Sequence, residues 1–257
     1  MDIVKEIDIT KYSKGITENI TDKIIVEEAL DIYINNKYYV TLMCTPYEEK
    51  ELVLGFLFSE GLISSIKEVE NIEKKSEGMI FVSLHDNKRI IFENKRALTS
   101  GCGRGSIHVN ILVNKNVDII ENTCNYKIKD ILMYMKEFNT ASNLFKETGG
   151  VHGCCICGNE GLLISCEDIG RHNALDKLIG KSLLNNIDLH DKILLTTGRV
   201  SSDILIKTAK AKIPILVSHS APTEFAVKMA KIVNVTLIGF ARGNRMNIYS
   251  GEHCLTY

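Results

Sequence analysis

Cys102 stands in the stretch TSGCGRGS (99–106), among Gly101, Gly103 and Gly105 and one residue from Arg104. Glycine at this density forbids a long regular element, so the stretch reads as a loop whose backbone reaches conformations closed to other residues. A neighbouring guanidinium favours the thiolate, which is the nucleophilic form of sulfur. The loop suits a mobile carrier of a transferable group; it equally suits a free cysteine in a glycine turn. A second sulfur-rich stretch, HGCCIC (152–157), holds His152, Cys154, Cys155 and Cys157, with Cys166 following. One C-x-x-C is half of a four-ligand zinc site, and cysteines also pack as small apolar residues, so no tightly bound metal is expected.

The remaining chemistry collects in four segments: CEDIGRHN (166–173), TTGRVSSD (196–203), SHSAPTE (218–224) and FARGNR (240–245). Each follows an apolar run, and together they carry Arg171, His172, Arg199, His219, Arg242 and Arg245. Arginine forks bind phosphate, and glycine between two of them lets the backbone approach a ligand. Asn244 could read a base edge. Asp168 is placed to cap the helix after it, and His172 is of a type that titrates near neutral pH. The segments imply a pocket for a phosphorylated, nucleotide-like ligand.

The elements that would hold these segments follow from periodicity. Leu162–Cys166, Ile193–Thr196, Ile215–Ser218 and Val235–Phe240 read as strands, separated by helices over Arg171–Leu184, Ser202–Lys212 and Pro222–Ile232. That alternation predicts parallel strands with crossover helices, and ligands of such sheets sit beyond the carboxyl ends of the strands. Upstream, residues 1 to about 25 read as an arm or edge strand. Leu30, Ile32 and Ile34 alternate as a strand, Asn35-Asn36 turns, and Tyr38–Met43 returns. Thr45, Pro46 and Glu48 predict a helix start, with Thr45 as its cap, and Gly61 ends that helix. Ile66–Ile72, Met79–His85, Arg89–Glu93 and Ile107–Val113 are strand-like, and helices are expected near Lys127–Phe138 and Ala141–Lys146. The fold class is α/β, with an N-terminal α+β domain over residues 1–125 and a larger α/β domain over 126–257.

Bulk properties narrow the function. A formal charge of −1 over 257 residues gives no global basic field for nucleic acid or a membrane surface. No apolar run reaches the length of a bilayer span, and the acidic start MDIVKEIDITKY lacks a signal-peptide pattern, so a cytoplasmic location is expected. Eight cysteines in such a setting point to thiol chemistry rather than a disulfide framework.

TPYEEKELVLGFLFSEGLI, TSGCGRGS, TGGVH, EDIGRHNALDKLIG, TTGRVSSD, IPILVSHSAPTEFAVKMAK and GFARGNRMNIY occur in this order. From about residue 20 to about residue 250 the chain resembles the formate dehydrogenase accessory sulfurtransferase (FdhD) family. The resemblance implies a three-layer α/β/α, cytidine deaminase-like fold for the C-terminal part and a homodimer. It implies a sulfurtransferase that takes sulfur from a cysteine desulfurase as a persulfide on Cys102. The sulfur passes to the molybdenum or tungsten bis-molybdopterin guanine dinucleotide cofactor destined for the formate dehydrogenase apoenzyme. Cofactor binding falls on Phe240, Ala241, Arg242, Gly243, Asn244 and Arg245, with Arg171, Gly198, Arg199, Ser201 and Ser220 as neighbours, and Arg104, His152 and His172 could support the transfer.

The family loop usually carries a second cysteine where Gly105 stands here. Cys154 or Cys157 could replace it if the loop folds over the pocket. Two other readings stay open: a cofactor-binding chaperone without sulfur transfer, and a deaminase-like zinc enzyme, whose H-x-E…P-C-x-x-C signature is absent.

Overall fold

A computed structural model of the chain describes residues 2–86, 96–98 and 117–257. The N-terminal arm is a hairpin, β1 (Val4–Ser13) with β2 (Ile16–Ile25), turned by Lys14 and Gly15 at positive φ. β3 (Glu28–Ile34) and β4 (Lys37–Cys44) pair antiparallel as their alternation predicts. Asn35 and Asn36, at φ 48° and 64°, supply the left-handed pair that a tight hairpin turn needs. The first helix, α1 (Glu49–Glu60), precedes β5 (Val69–Ser76), β6 (Met79–Leu84) and β7 (Arg96–Leu98). These strands form one sheet in the order β5-β6-β3-β4-β7. Ile66–Glu68, expected as strand, is a short 3-10 turn ahead of β5. The expected strands at Arg89–Glu93 and Ile107–Val113 lie outside the described residues.

The second half comprises β8 (Tyr126–Lys127), α2 (Ile128–Ala141), α3 (Asn143–Thr148), β9 (His152–Gly158), β10 (Gly161–Asp168) and α4 (Arg171–Leu184). It continues with β11 (Ile193–Thr196), α5 (Ser202–Lys210), β12 (Ile215–Ser218), α6 (Glu224–Val233), β13 (Thr236–Arg242), β14 (Arg245–Ser250) and β15 (Leu255–Thr256). β10, β11, β12 and β13 run in one direction, as expected, but the sheet is mixed. β9 lies between β10 and β11, antiparallel to both, and β14 pairs antiparallel with β13.

HGCCIC is therefore a central strand. Its residues alternate between two cores: Cys154 and Ile156 pack with α4, α5 and α6, whereas Cys155 and Cys157 pack with α2 on the other face. Burial on both faces explains a near-continuous run of small apolar residues with no polar alternation. Helices cover both faces of the sheet, giving three layers. Residues 117–124, upstream of the expected boundary at 125, pack onto this half: Ile120 N–H donates to Val233 O (3.0 Å) and Asn122 Nδ2 to Pro214 O (3.0 Å). No helix among the described residues is long and apolar enough to cross a membrane.

α1 joins the two halves. Leu52, Val53, Leu54, Phe56 and Leu57 are all buried, so the helix is apolar all round and lies between the first sheet and α4. Its start corrects the sequence reading. The cap position is Glu48, at φ 51°, and its side chain caps nothing. Thr45 faces the other half instead: its Oγ1 accepts from Ile169 N–H (3.2 Å), and its own N–H donates to Asp168 Oδ2 (3.1 Å). A long-range anchor has taken the hydroxyl that local pattern assigns to a cap.

Candidate functional site

The carboxyl ends of β10 to β13 and the start of β9 make one rim. The turns there are laced together by backbone and hydroxyl groups. His219 N–H donates to Thr196 O (2.9 Å), Thr197 N–H to Gly153 O (3.1 Å), and Phe240 N–H to Ser220 O (3.0 Å). Ser218 Oγ donates to Gly198 O (2.7 Å). Such pairing gives loops a fixed geometry without regular structure.

The segment 240–245 ends β13 in a tight hairpin. Arg242 pairs with Arg245 across Gly243, at φ 57°, and Asn244. No atom of the described residues lies within 4 Å of where a Cβ on Gly243 would stand, and its positive φ is what calls for glycine there. Arg242, Gly243, Asn244 and Arg245 are exposed. Arg242 Nε donates to His219 O (2.8 Å), and its guanidinium stands 6.0 Å from the Phe240 ring centre. Phe240 holds φ 52°, a left-handed conformation that costs a non-glycine residue about 1–3 kcal/mol and tends to mark functional loops. Ala241 is buried beneath the turn.

Arg171 opens α4 beside the turn after β11. Gly198 makes room for it, since a Cβ there would lie 2.9 Å from Arg171 Cβ. Arg199 is exposed, and Ser201 caps α5 and stands 3.4 Å from His172 Nε2. Burial, then the cations Lys207 and Arg171, push His172 down to about 3. Burial and Arg171 also lower His152, whose Nδ1 lies 3.4 Å from Thr197 Oγ1. Burial and Arg242 lower His219. These imidazoles are hydrogen-bonding groups at neutral pH; the expected near-neutral titration of His172 is displaced by burial first and by its cationic neighbours second.

Behind the rim lies a buried pair. Lys177 Nζ meets Asp168 Oδ2 at 2.7 Å with both side chains wholly buried. Asp168 Oδ1 accepts from Gly170 N–H and Asn173 Nδ2 (both 2.9 Å), and Lys177 also donates to Thr45 O (3.2 Å) and Glu167 O (3.3 Å). Asp168 is thus an anchor between the halves rather than a simple cap.

The sulfur-rich strand offers no reactive thiol. Burial pushes Cys154 up to about 12, and burial raises Cys166 as well. Cys155 is raised by contact with Cys157, whose Sγ is 3.9 Å away, and by burial. These sulfurs are buried and divided between the two faces of β9; the loop whose missing cysteine Cys154 or Cys157 is expected to replace lies outside the described residues. No group of three or more His, Cys, Asp or Glu side chains among the described residues could hold a metal ion. Cys102 and Arg104 lie outside the described residues.

A profile of the FdhD/NarQ family matches residues 25–256. The chain belongs to this family. It is 36% identical to the sulfur carrier protein FdhD of Listeria innocua, covering all of both chains. It is 38% identical to the Bacillus subtilis protein of the same name, over 95% of this chain and 94% of that one. Its fold matches the crystal structure of a Desulfotalea psychrophila protein provisionally described as a formate dehydrogenase accessory protein. The TM-score is 0.83 at 25% identity, covering 99% of this chain and all of that one.

Within this FdhD/NarQ fold, the structure brings Arg171, Gly198, Ser201, Ser220 and Phe240–Arg245 to one rim, with His152 and His172 beside them. Sequence reasoning passed over a cavity of about 510 Å³ next to them, walled by Phe138, Phe145, Glu167, Thr197, His152 and His219 among others. The pair Gly149-Gly150 in its wall was the available signal.

Proposed function

We propose that the protein is a sulfur carrier for the molybdenum or tungsten cofactor of formate dehydrogenase. The observation that carries this is full-length similarity to sulfur carrier proteins in a chain where Cys102 is the remaining candidate thiol. All seven cysteines of the described residues are buried or half-buried. Of these, Cys44 is pushed by burial to about 12, and Cys124 is raised by burial too.

The Cys102 thiolate attacks the outer sulfur of a cysteine desulfurase persulfide. One S–S bond forms on Cys102, one breaks, and the desulfurase cysteine leaves as a thiolate. In the second transfer the outer sulfur becomes a sulfide ligand of the substrate's metal. The reduced metal supplies the two electrons, and Cys102 leaves as a thiolate. Arg242 and Arg245 on the exposed hairpin, with Arg171 and Arg199, receive the diphosphates of the dinucleotide. His152 and His172, uncharged at neutral pH, orient groups rather than add positive charge. A homodimer and contact with the formate dehydrogenase apoenzyme belong to the same reading.

The test is restoration of formate dehydrogenase activity in cells lacking their own carrier. Wild type restores it and Cys102→Ser does not. Activity with Cys102→Ser would favour the alternative, a cofactor-binding chaperone without sulfur transfer.

A further inference from the structure

Residues 43–48, between β4 and α1, tie the first half of the protein to the end of β10. Asn173 Nδ2 donates to Met43 O (2.8 Å). Thr45 makes three ties: its N–H donates to Asp168 Oδ2 (3.1 Å), its Oγ1 accepts from Ile169 N–H (3.2 Å), and its carbonyl accepts from Lys177 Nζ (3.2 Å). Lys177 also stands 6.0 Å from the Tyr47 ring centre. Glu48 pairs its buried carboxylate with Lys181 and holds φ 51°, a left-handed conformation that persists in a non-glycine residue only where the surroundings over-determine it. All of these partners belong to β10, to α4 or to the turn between them.

The apolar packing of α1 against α4 already joins the halves; what the seam adds is a fixed position for the end of β4. β7 runs parallel to β4, with Val40 opposite Arg96 and Leu42 opposite Leu98, so both strands leave the first sheet at the same end. Thr45 comes three residues after Leu42, and Cys102 comes four residues after Leu98, at most about 14 Å of extended chain. The tether of Cys102 is therefore rooted beside the seam, and the seam is hydrogen-bonded to the carboxyl end of β10, which belongs to the rim. A short tether reaches only what its root allows, so a shift of the root moves the sulfur relative to the rim. Misplacing a reacting group by about 1 Å can cost about 100-fold in rate.

We propose that Thr45 is a positioning residue for sulfur delivery: by holding the end of β4 on Asp168 and Ile169, it fixes the root of the Cys102 tether against the rim. The inference rests on the sulfur-carrier reading and concerns its second step, in which Cys102 gives up the outer sulfur and leaves as a thiolate. The first step does not use this geometry, because the desulfurase brings its own persulfide to the tether. Thr45 touches no substrate and acts only through where it places the strand end. Asn173, which donates to both Met43 O and Asp168 Oδ1, shares the task.

Loading and delivery are measured separately on the full-length protein. Loading is the sulfur-sized mass gain after incubation with a cysteine desulfurase and cysteine. Delivery is the formate dehydrogenase activity restored, per amount of soluble carrier, in cells lacking their own. Thr45→Val, which removes the hydroxyl acceptor of Ile169 N–H, should load as wild type does and deliver less by about tenfold or more. Thr45→Ser, which keeps the acceptor, should restore delivery. Asn173→Ala should show the same split, and it decides the matter if Thr45→Val does not accumulate as folded protein. A merely structural role would lower loading and delivery together, and that result overturns the proposal. So does delivery at the wild-type level in the folded variant, or a Thr45→Ser protein that delivers no better than Thr45→Val. Delivery by Cys102→Ser would show instead that the sulfur-carrier reading fails, and the positioning role with it.

Discussion

Gly55 of α1 and Gly180 of α4 meet where the two halves of the protein join. A Cβ on Gly55 would stand 1.7 Å from Asp176 O, and one on Gly180 would stand 1.9 Å from Glu51 O and 2.9 Å from Gly55 N. These obstacles are backbone, which cannot rotate aside, so the helices can cross this closely only with glycine at both positions. Alanine favours an isolated helix by about 1 kcal/mol over glycine. The clash should outweigh that gain. Gly55→Ala and Gly180→Ala are each expected to lower stability by about 2 kcal/mol or more, read as a fall in the urea midpoint. An unchanged midpoint would mean that the helices separate without cost.

The Asp168–Lys177 pair gives a second expectation. Both groups are wholly buried, so removing one leaves an uncompensated charge. Lys177→Met should cost about 3–5 kcal/mol. Asp168→Asn combined with Lys177→Met should cost less than the sum of the single changes, because neither variant group then carries a buried charge. Additive losses in chemical denaturation would contradict the coupling.

Stability should fall in acid through the rim histidine. His172 has a folded value of about 3 against an ordinary 6.5, so between these the unfolded chain binds the proton and the folded one does not. Stability therefore falls as pH drops from about 6.5 towards 3, by at most about 1.4 kcal/mol per pH unit from this group. His152 and His219, also lowered, act in the same direction. Replacing His172 with Gln should flatten the loss between pH 7 and pH 5, measured by urea unfolding at each pH.

The strand cysteines should be chemically silent. With Cys154 at about 12 and Cys155 and Cys157 buried, a thiol reagent should leave them unmodified in the native protein and label them after unfolding. Cys154→Ala and Cys157→Ala should load sulfur as wild type does. Native labelling of either residue would reopen a role for the strand in the transfer.

Much of the second half is legible because its pattern and its environment agree. Ile204, Leu205 and Ala209 face the core as the period of α5 requires, and the four segments rich in basic and hydroxyl groups stand at one rim because β10 to β13 share a direction. β9 is hidden for a physical reason: a central strand of Gly153, Cys154, Cys155, Ile156 and Cys157 has no alternation to read, and its cysteines imitate a ligand motif. Thr45 is misleading in the same way. Its local pattern is that of a helix cap, and a partner 124 residues away in sequence, the N–H of Ile169, takes its hydroxyl instead. The close approach of Gly55 and Gly180, and the placing of Glu167 against α3, depend on contacts between distant segments that no local window contains.

The central claim is that Cys102 carries the sulfur, and intact-protein mass spectrometry after incubation with a cysteine desulfurase and cysteine tests it most directly. Wild type should gain the mass of one sulfur atom, released by a thiol reductant, and Cys102→Ser should gain none. A gain that survives in Cys102→Ser, or no gain in wild type, would contradict the account.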